Sequence, residues 1–305
     1  MIEPAAQPPT PPQIAQTPEV MRTTGWADYA LLDSGHGRKL ERYGPYTVVR
    51  PEPQCMWSRR LPQADWDAAD AVFDPTDEDD AGHWRFKGKP LETWPLGWGP
   101  VRFQGRFTAF RHLAFFPEQA ANWTFLQDAV AGAEQPRVLN LFGYTGVASL
   151  VMAQAGAAVT HVDASKKAVA WARENAELSG LGDRPIRWIT EDARKYVARE
   201  VRRGSTYDGI ILDPPKYGRG PDGQVWRLFE DLPELAGLCA QLLSENARFL
   251  VLNAYAERIS GPALAGLLAE TLAGRGGRIA WGELALEEQR GDRAIGMSFF
   301  ARWTA

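Results

Sequence analysis

Hydrophobic and polar residues change their period near the middle of the chain. From residue 137 onward, short apolar runs alternate with stretches whose apolar positions recur at helical spacing. Runs at 137–142, 158–162, 186–190, 209–212 and 249–253 predict strands, and stretches at 145–155, 165–178, from about 193, 226–243 and 262–272 predict helices. That β-α-β order predicts an α/β fold, an open, doubly wound parallel sheet with helices on both faces. Two further runs, 278–286 and 295–303, are joined by Gln289-Arg290-Gly291-Asp292-Arg293. The connector is too short for a crossover helix, so the seven-stranded sheet should end in an antiparallel pair.

The first part of the chain reads differently. Residues 1–24 hold Pro4, Pro8, Pro9, Pro11, Pro12 and Pro18 with few large apolar side chains, the composition of a flexible tail. Across 25–111, short runs such as 46–50 and 101–107 are broken by Pro and Gly. They predict a smaller β-rich accessory domain. Residues 112–131 turn helical and lead into the second domain, 112–305.

Composition narrows the class. A chain of 305 residues, 45% hydrophobic, can bury a sizeable core. Cys55 and Cys239 form neither a disulfide framework nor a metal-binding spacing, which fits a reducing cytoplasm and gives no metal site. No apolar stretch reaches the length of a membrane span, and the amino terminus lacks the order of a secretion signal. The net charge of -4 does not announce a nucleic-acid binder. The charge is uneven, however, with an acidic run at 74–80 and a basic stretch of Arg85, Lys87, Lys89, Arg102, Arg106 and Arg111. Trp84, Phe86, Trp94, Trp98, Phe103, Phe107 and Phe110 are interleaved with those bases. That mixture can neutralise phosphates and stack on unpaired bases. It also describes a small half-buried sheet.

Candidate chemistry falls at the carboxyl ends of the predicted strands, where ligands bind in doubly wound sheets. After the first strand, Gly143-Tyr144-Thr145-Gly146 supplies two glycines to a sharp turn, though not in the GxGxxG spacing of a dehydrogenase. Asp163, ending the second strand, can accept both hydroxyls of an adenosine ribose or cap the helix that follows. Asp192 can accept an adenine amine, with the Ala193 N–H near a ring nitrogen, or cap its own helix. Asp213-Pro214-Pro215-Lys216 follows the fourth strand. Its prolines fix φ and supply no N–H, leaving a rigid set of acceptors suited to a flat, amine-bearing substrate.

These motifs, in this order, resemble the Rossmann-like class I S-adenosylmethionine-dependent methyltransferases over residues 137–303. The residues that carry the likeness are Asn140-Leu141-Phe142-Gly143-Tyr144-Thr145-Gly146, Val162-Asp163-Ala164-Ser165, Glu191-Asp192-Ala193 and Asp213-Pro214-Pro215-Lys216-Tyr217. Within that class the set is most similar to bacterial large-subunit ribosomal RNA methyltransferases that make 5-methylcytosine or 7-methylguanine. The resemblance implies S-adenosylmethionine over Gly143 and Gly146, its ribose on Asp163, its adenine near Asp192 and its methyl group facing the Asp213 loop. It also makes Gln119, in Phe116-Pro117-Glu118-Gln119, a cofactor contact.

One departure matters. Methylation at carbon 5 of a pyrimidine needs a thiolate to add at carbon 6. This chain has Asn253-Ala254-Tyr255 after the fifth strand and Lys216 after the Pro-Pro pair, where a cysteine is expected. Cys239 lies among leucines at helical spacing, and Cys55 belongs to the accessory half. The reading that follows is methyl transfer to a base nitrogen of a ribosomal RNA. Asp213 and the Pro214 carbonyl would hold the amine, Tyr217 would offer a stacking surface, and Lys216 would bind phosphate or remain solvated. A small-molecule or protein methyltransferase, a 5-methylcytosine enzyme and a non-catalytic RNA-binding scaffold are the alternatives. The oligomeric state is left open.

Overall fold

A computed structural model describes residues 11–76, 82–255 and 258–305. Seven strands of its central sheet are, in chain order, Arg137–Leu141, Ala158–Asp163, Ile186–Thr190, Gly209–Leu212, Phe249–Ala254, Arg278–Glu287 and Ala294–Thr304. Their spatial order is third, second, first, fourth, fifth, seventh, sixth, and the seventh alone runs against its neighbours. The fourth and fifth are buried along their whole length, as apolar strands covered on both faces must be. Helices Ala120–Val130, Val147–Gln154 and Lys166–Leu178 cover one face, and Ala193–Arg202, Leu228–Leu242 and Gly261–Thr271 the other. The expected doubly wound sheet with an antiparallel last strand is therefore present.

The sheet has nine strands rather than seven. Gln13–Ile14 and Glu19–Thr23 pair in parallel with the sixth strand, so this part of the expected flexible tail is structured. Residues 1–10 lie outside the described ones. Main-chain groups on an open edge can be paired by almost any sequence free of proline, and Pro12 and Pro18 stand just before each short strand. Gly282 makes the approach possible, because a Cβ there would lie 1.8 Å from the Glu19 carbonyl oxygen. The Trp281 indole donates to the Ala15 carbonyl at 2.7 Å.

The N-terminal part forms a five-stranded sheet, Tyr29–Gly35, Arg38–Tyr43, Tyr46–Pro51, Ala71–Pro75 and Gly82–Phe86, and a hairpin, Trp94–Trp98 with Val101–Gly105. Its main core is shared. Tyr29, Tyr43, Trp94, Phe103 and Phe115 pack in one cluster with Trp123, Val147 and Leu150 of the central unit. The hairpin also bonds to the helix Lys166–Leu178 and its end, where Gln104 N–H donates to Asn175 at 2.9 Å and Arg102 N–H to Ser179 Oγ at 2.9 Å.

The interleaved basic and aromatic residues are mostly a half-buried sheet. Trp94 and Phe103 are buried, and Trp84, Trp94 and Phe86 all pack against Phe107 with ring centroids 4.8 to 5.0 Å apart. Arg85 pairs with Asp74, Arg106 with Glu174, and Arg102 donates to the Gly99 carbonyl at 2.6 Å. Of the acidic run, residues 77–80 lie outside the described ones.

Two local expectations shift. The helix expected from 112 begins as a 3-10 turn at Pro117–Gln119 before Ala120–Val130, because Pro117 starts it. The helix expected from 226 begins at Leu228, since Val225–Arg227 pairs with Tyr217–Arg219 in a hairpin.

Gly282→Val should force the Glu19 strand off the edge, at a cost of about 1–3 kcal/mol by overpacking. The expected outcome is a lower Tm and a new protease-sensitive site near Glu19, read by limited proteolysis and mass spectrometry.

Candidate active site

Backbone strain marks the turn after the first strand. Phe142 and Tyr144 hold φ of 57° and 47°, a region costly for residues with a Cβ, and Gly146 follows at 84°. The glycines are required by packing. A Cβ on Gly143 would stand 2.5 Å from the His161 ring, and one on Gly146 would stand 2.8 Å from Ala172 Cβ. Asn140 is buried beneath the turn and donates to Ser149 Oγ at 2.9 Å, so it supports the loop from below. Thr145 is buried as well, its hydroxyl donating to the Ala114 carbonyl at 2.7 Å. The Phe142 ring packs on Trp226 with centroids 4.9 Å apart.

Asp163 does not cap the next helix; Ser165 does, accepting from the Ala168 N–H at 3.2 Å. Each Asp163 oxygen accepts one backbone N–H, from Tyr144 and from Ser165, both at 2.8 Å. Burial raises its pKa and those two bonds draw it back. A carboxylate oxygen has two acceptor positions, so each still has one to offer. Ala164, half-buried, lies between. Asp192 does cap its helix, its Oδ1 accepting from the Lys195 N–H at 3.1 Å, and Ala193 is buried beside it.

At the end of the fourth strand the loop is more restricted than free prolines suggest. The Pro215 carbonyl accepts the Trp226 indole N–H at 2.7 Å and the Lys216 carbonyl accepts the Leu228 N–H at 3.0 Å. Pro214 is buried, Pro215 and Lys216 are exposed, and Tyr217 is 50% exposed at the start of the hairpin. Asp213 faces inward. Its Oδ2 accepts from Gln119 Nε2 at 3.2 Å, while Oδ1 is buried without a hydrogen-bond partner among the described residues. Burial pushes the Asp213 carboxyl up to about 7, the Glu118 charge adds to this, and the Asn253 amide opposes it.

Sequence reasoning brought Gln119 and Asp213 to one place and missed what surrounds them. Gln119 Nε2 also donates to the Tyr255 hydroxyl at 2.6 Å, and the Phe116 ring stands 5.8 Å from Tyr255 and 5.9 Å from Tyr144. His112 lies 5.5 Å from Tyr144, its pKa pushed down to about 4 by burial. Tyr255 was findable, since it follows the fifth strand at the same edge. Trp226 was not, because its contact depends on the hairpin closing. Both cysteines are buried: burial raises the Cys239 thiol strongly and the Cys55 thiol to about 11. Among the described residues no cluster of His, Cys, Asp and Glu could hold a metal, and no helix is long and apolar enough to cross a membrane.

A mainly parallel sheet in this strand order, with a strained turn and three aspartates at its carboxyl edge, defines a Rossmann-like fold. The model of the S-adenosylmethionine-dependent methyltransferase family matches residues 69–248, more than half of the chain, and the chain belongs to that family. It is an enzyme whose cofactor is S-adenosylmethionine. A crystal structure of a SAM-dependent methyltransferase from Agrobacterium tumefaciens is 50% identical, with a TM-score of 0.93 over 97% of this chain and 96% of that one. The ribosomal RNA large subunit methyltransferase K/L of Shewanella sp. (strain ANA-3) is 34% identical over 120 residues, 38% of this chain and 17% of that protein. The ribosomal RNA large subunit methyltransferase I of Shewanella amazonensis is 41% identical over 92 residues, 29% of this chain and 23% of that protein. The chain thus spans less than a quarter of the length of either curated relative.

The raised pKa of Asp213 has a stability consequence. The folded protein holds a proton that the unfolded chain releases near pH 4, so this contribution is full below about pH 4 and is lost as pH rises through about 7. Asp213→Asn removes that titration. The Tm of the wild type relative to Asp213→Asn should fall steadily between about pH 4 and 7; a constant difference would contradict the assignment.

Proposed function

We propose that this methyltransferase acts on a base nitrogen of ribosomal RNA. The observation that carries the reading is the half-buried Asp213, whose Oδ1 is buried and unpartnered among the described residues, with no thiol beside it. Carbon 5 of a pyrimidine needs a nucleophilic thiolate before it can take a methyl group. Tyr255 occupies the place after the fifth strand, and Cys239 is packed among Leu232, Leu235 and Leu242. A nitrogen needs only a directed lone pair and an acceptor for its proton.

The site residues fit the cofactor. Asp163 retains one acceptor position on each oxygen for the two ribose hydroxyls, held in place by two backbone N–H groups. The strained turn of Phe142, Gly143, Tyr144, Thr145 and Gly146 lies beside it, next to Ala164 and Ser165, while Asp192 and the Ala193 N–H receive the adenine. Gln119 and Asp213 bound the reacting end. When bound, S-adenosylmethionine supplies an electrophilic methyl group on a sulfonium. Asp213 and the Pro214 carbonyl accept hydrogen bonds from the substrate nitrogen and orient its lone pair. A carboxyl whose pKa lies near 7 can then take the proton that the nitrogen loses. Pro215, tied to Trp226, holds the loop rigid.

The names of the two curated relatives support ribosomal RNA as substrate. So do Tyr217 and Phe229, 50% and 58% exposed on and just after the hairpin that carries Arg219 and Arg227, with Lys216 just before it. Exposed aromatics among cations can stack on unpaired bases. The cytoplasm is the compartment that goes with this reading.

The test is methyl transfer from labelled S-adenosylmethionine to RNA from cells lacking the protein, with the product nucleoside mapped by mass spectrometry. We expect an N-methylated base, and a loss on the order of a hundredfold or more in Asp213→Ala. Label in 5-methylcytosine would overturn the nitrogen acceptor; label only in protein or small molecules would overturn the RNA.

A further inference from the structure

Arg302 of the seventh strand is 3% exposed, and its guanidinium lies 4.6 Å from the Phe125 ring centroid and 4.3 Å from that of Phe300. Burying a cation costs several kcal/mol unless pairing and hydrogen bonds offset it. Its hydrogen bonds go to a neutral amide, with Nε donating to Asn122 Oδ1 at 3.0 Å and Nη2 donating to the same oxygen.

A guanidinium has donors and no acceptor, so the Asn122 atom facing it must be the carbonyl oxygen. The Asn122 amide nitrogen is thereby turned the other way, donating to Gln119 Oε1 at 2.6 Å and to Asn253 Oδ1 at 2.9 Å. With their oxygens engaged, these two amides present N–H groups beyond. Gln119 donates to Asp213 Oδ2 and Tyr255, and the Asn253 amide nitrogen lies 3.4 Å from Gln119 Oε1 and lowers the pKa of Asp213. Asn122, Gln119 and Asn253 are all buried, with little water to correct a turned amide.

We propose that Arg302 is a positioning residue for Asp213: its donors fix the direction of hydrogen bonds through Asn122, Gln119 and Asn253, so that N–H groups and not carbonyls meet the carboxylate. Asp213 is two amides away along this path and follows a different strand. The inference rests on the reading of Asp213 as the acceptor of the substrate amine, which requires its ionised form. A turned Gln119 would set a carbonyl oxygen against Asp213 and favour the protonated acid. The charged and titratable groups that bear on Asp213 are Glu118 from the 3-10 turn and Tyr255 after the fifth strand, and the substitutions below leave both in place.

The test follows the titration of Asp213 rather than turnover alone. For each variant, the Tm is measured against pH and compared with the same variant carrying Asp213→Asn, which isolates the Asp213 midpoint. Arg302→Met should move that midpoint up by about one pH unit. Asn122→Leu breaks the path one link later with the cation retained, so it should do the same and separates direction from charge. Arg302→Lys, still donor-only, should keep the wild-type midpoint. Calorimetric affinity for S-adenosylhomocysteine should stay within about twofold in all three while methyl transfer falls tenfold or more in the first two. An unmoved midpoint in either Arg302→Met or Asn122→Leu overturns the proposal, as does an equal shift in Arg302→Lys. Full RNA methylation by Asp213→Asn would instead overturn the acceptor role of Asp213, whatever the midpoints do.

Discussion

A shared aromatic core fixes the relation between the two halves of this protein. Trp123 stands on the helix that directly follows Gln119, and it meets Trp26, Trp98 and Phe103 with ring centroids 5.6 to 6.2 Å apart. The same cluster includes Phe115, one residue before the ring that faces Tyr144 and Tyr255. Because cores pack to a fixed density, the N-terminal sheets cannot slide without dragging Phe116 and Gln119 with them. The accessory part is therefore packed against the segment that carries Phe116 and Gln119.

The polar side of the same segment is less conventional. Glu118 and Asp213 both have pKa values raised mainly by burial, and the Glu118 charge adds to the cost of ionising Asp213. The N-terminal sheet offsets this with Lys39 and Arg50, which act on Glu118 and pair with Glu41, Arg50 at 2.7 Å. Charge in the accessory half thus bears on the proton affinity of the site, although no basic residue of that half touches Asp213.

The central sheet was legible because its determinants are local: apolar runs such as Gly209-Ile210-Ile211-Leu212, a period change at 137, and aspartates at strand ends. Asp163 and Asp213 were found at the right edge for that reason. What escaped depends on distant partners. The strands at Gln13–Ile14 and Glu19–Thr23 have little apolar character and exist because the sixth strand presents an open edge. Trp226 reads as the start of a helix until Tyr217–Arg219 closes on it. The requirement for glycine at 143 also has a distant cause, since a Cβ there would meet His161 of the neighbouring strand. The amides of Asn122 and Asn253 carry no periodicity at all.

The parallel pairing of Glu19–Thr23 with the sixth strand joins residues more than 250 positions apart. Contacts of such separation form late, because the intervening chain must first be ordered. During synthesis the segment 19–23 emerges early and waits for residues 278–304. Thr23 then bonds the Pro117 carbonyl at 3.1 Å, at the head of the turn that holds Gln119. Arg302 lies on the strand Ala294–Thr304, which pairs with that sixth strand. The edge strand and the turn before Gln119 are thus joined only once residues 278–304 are in place.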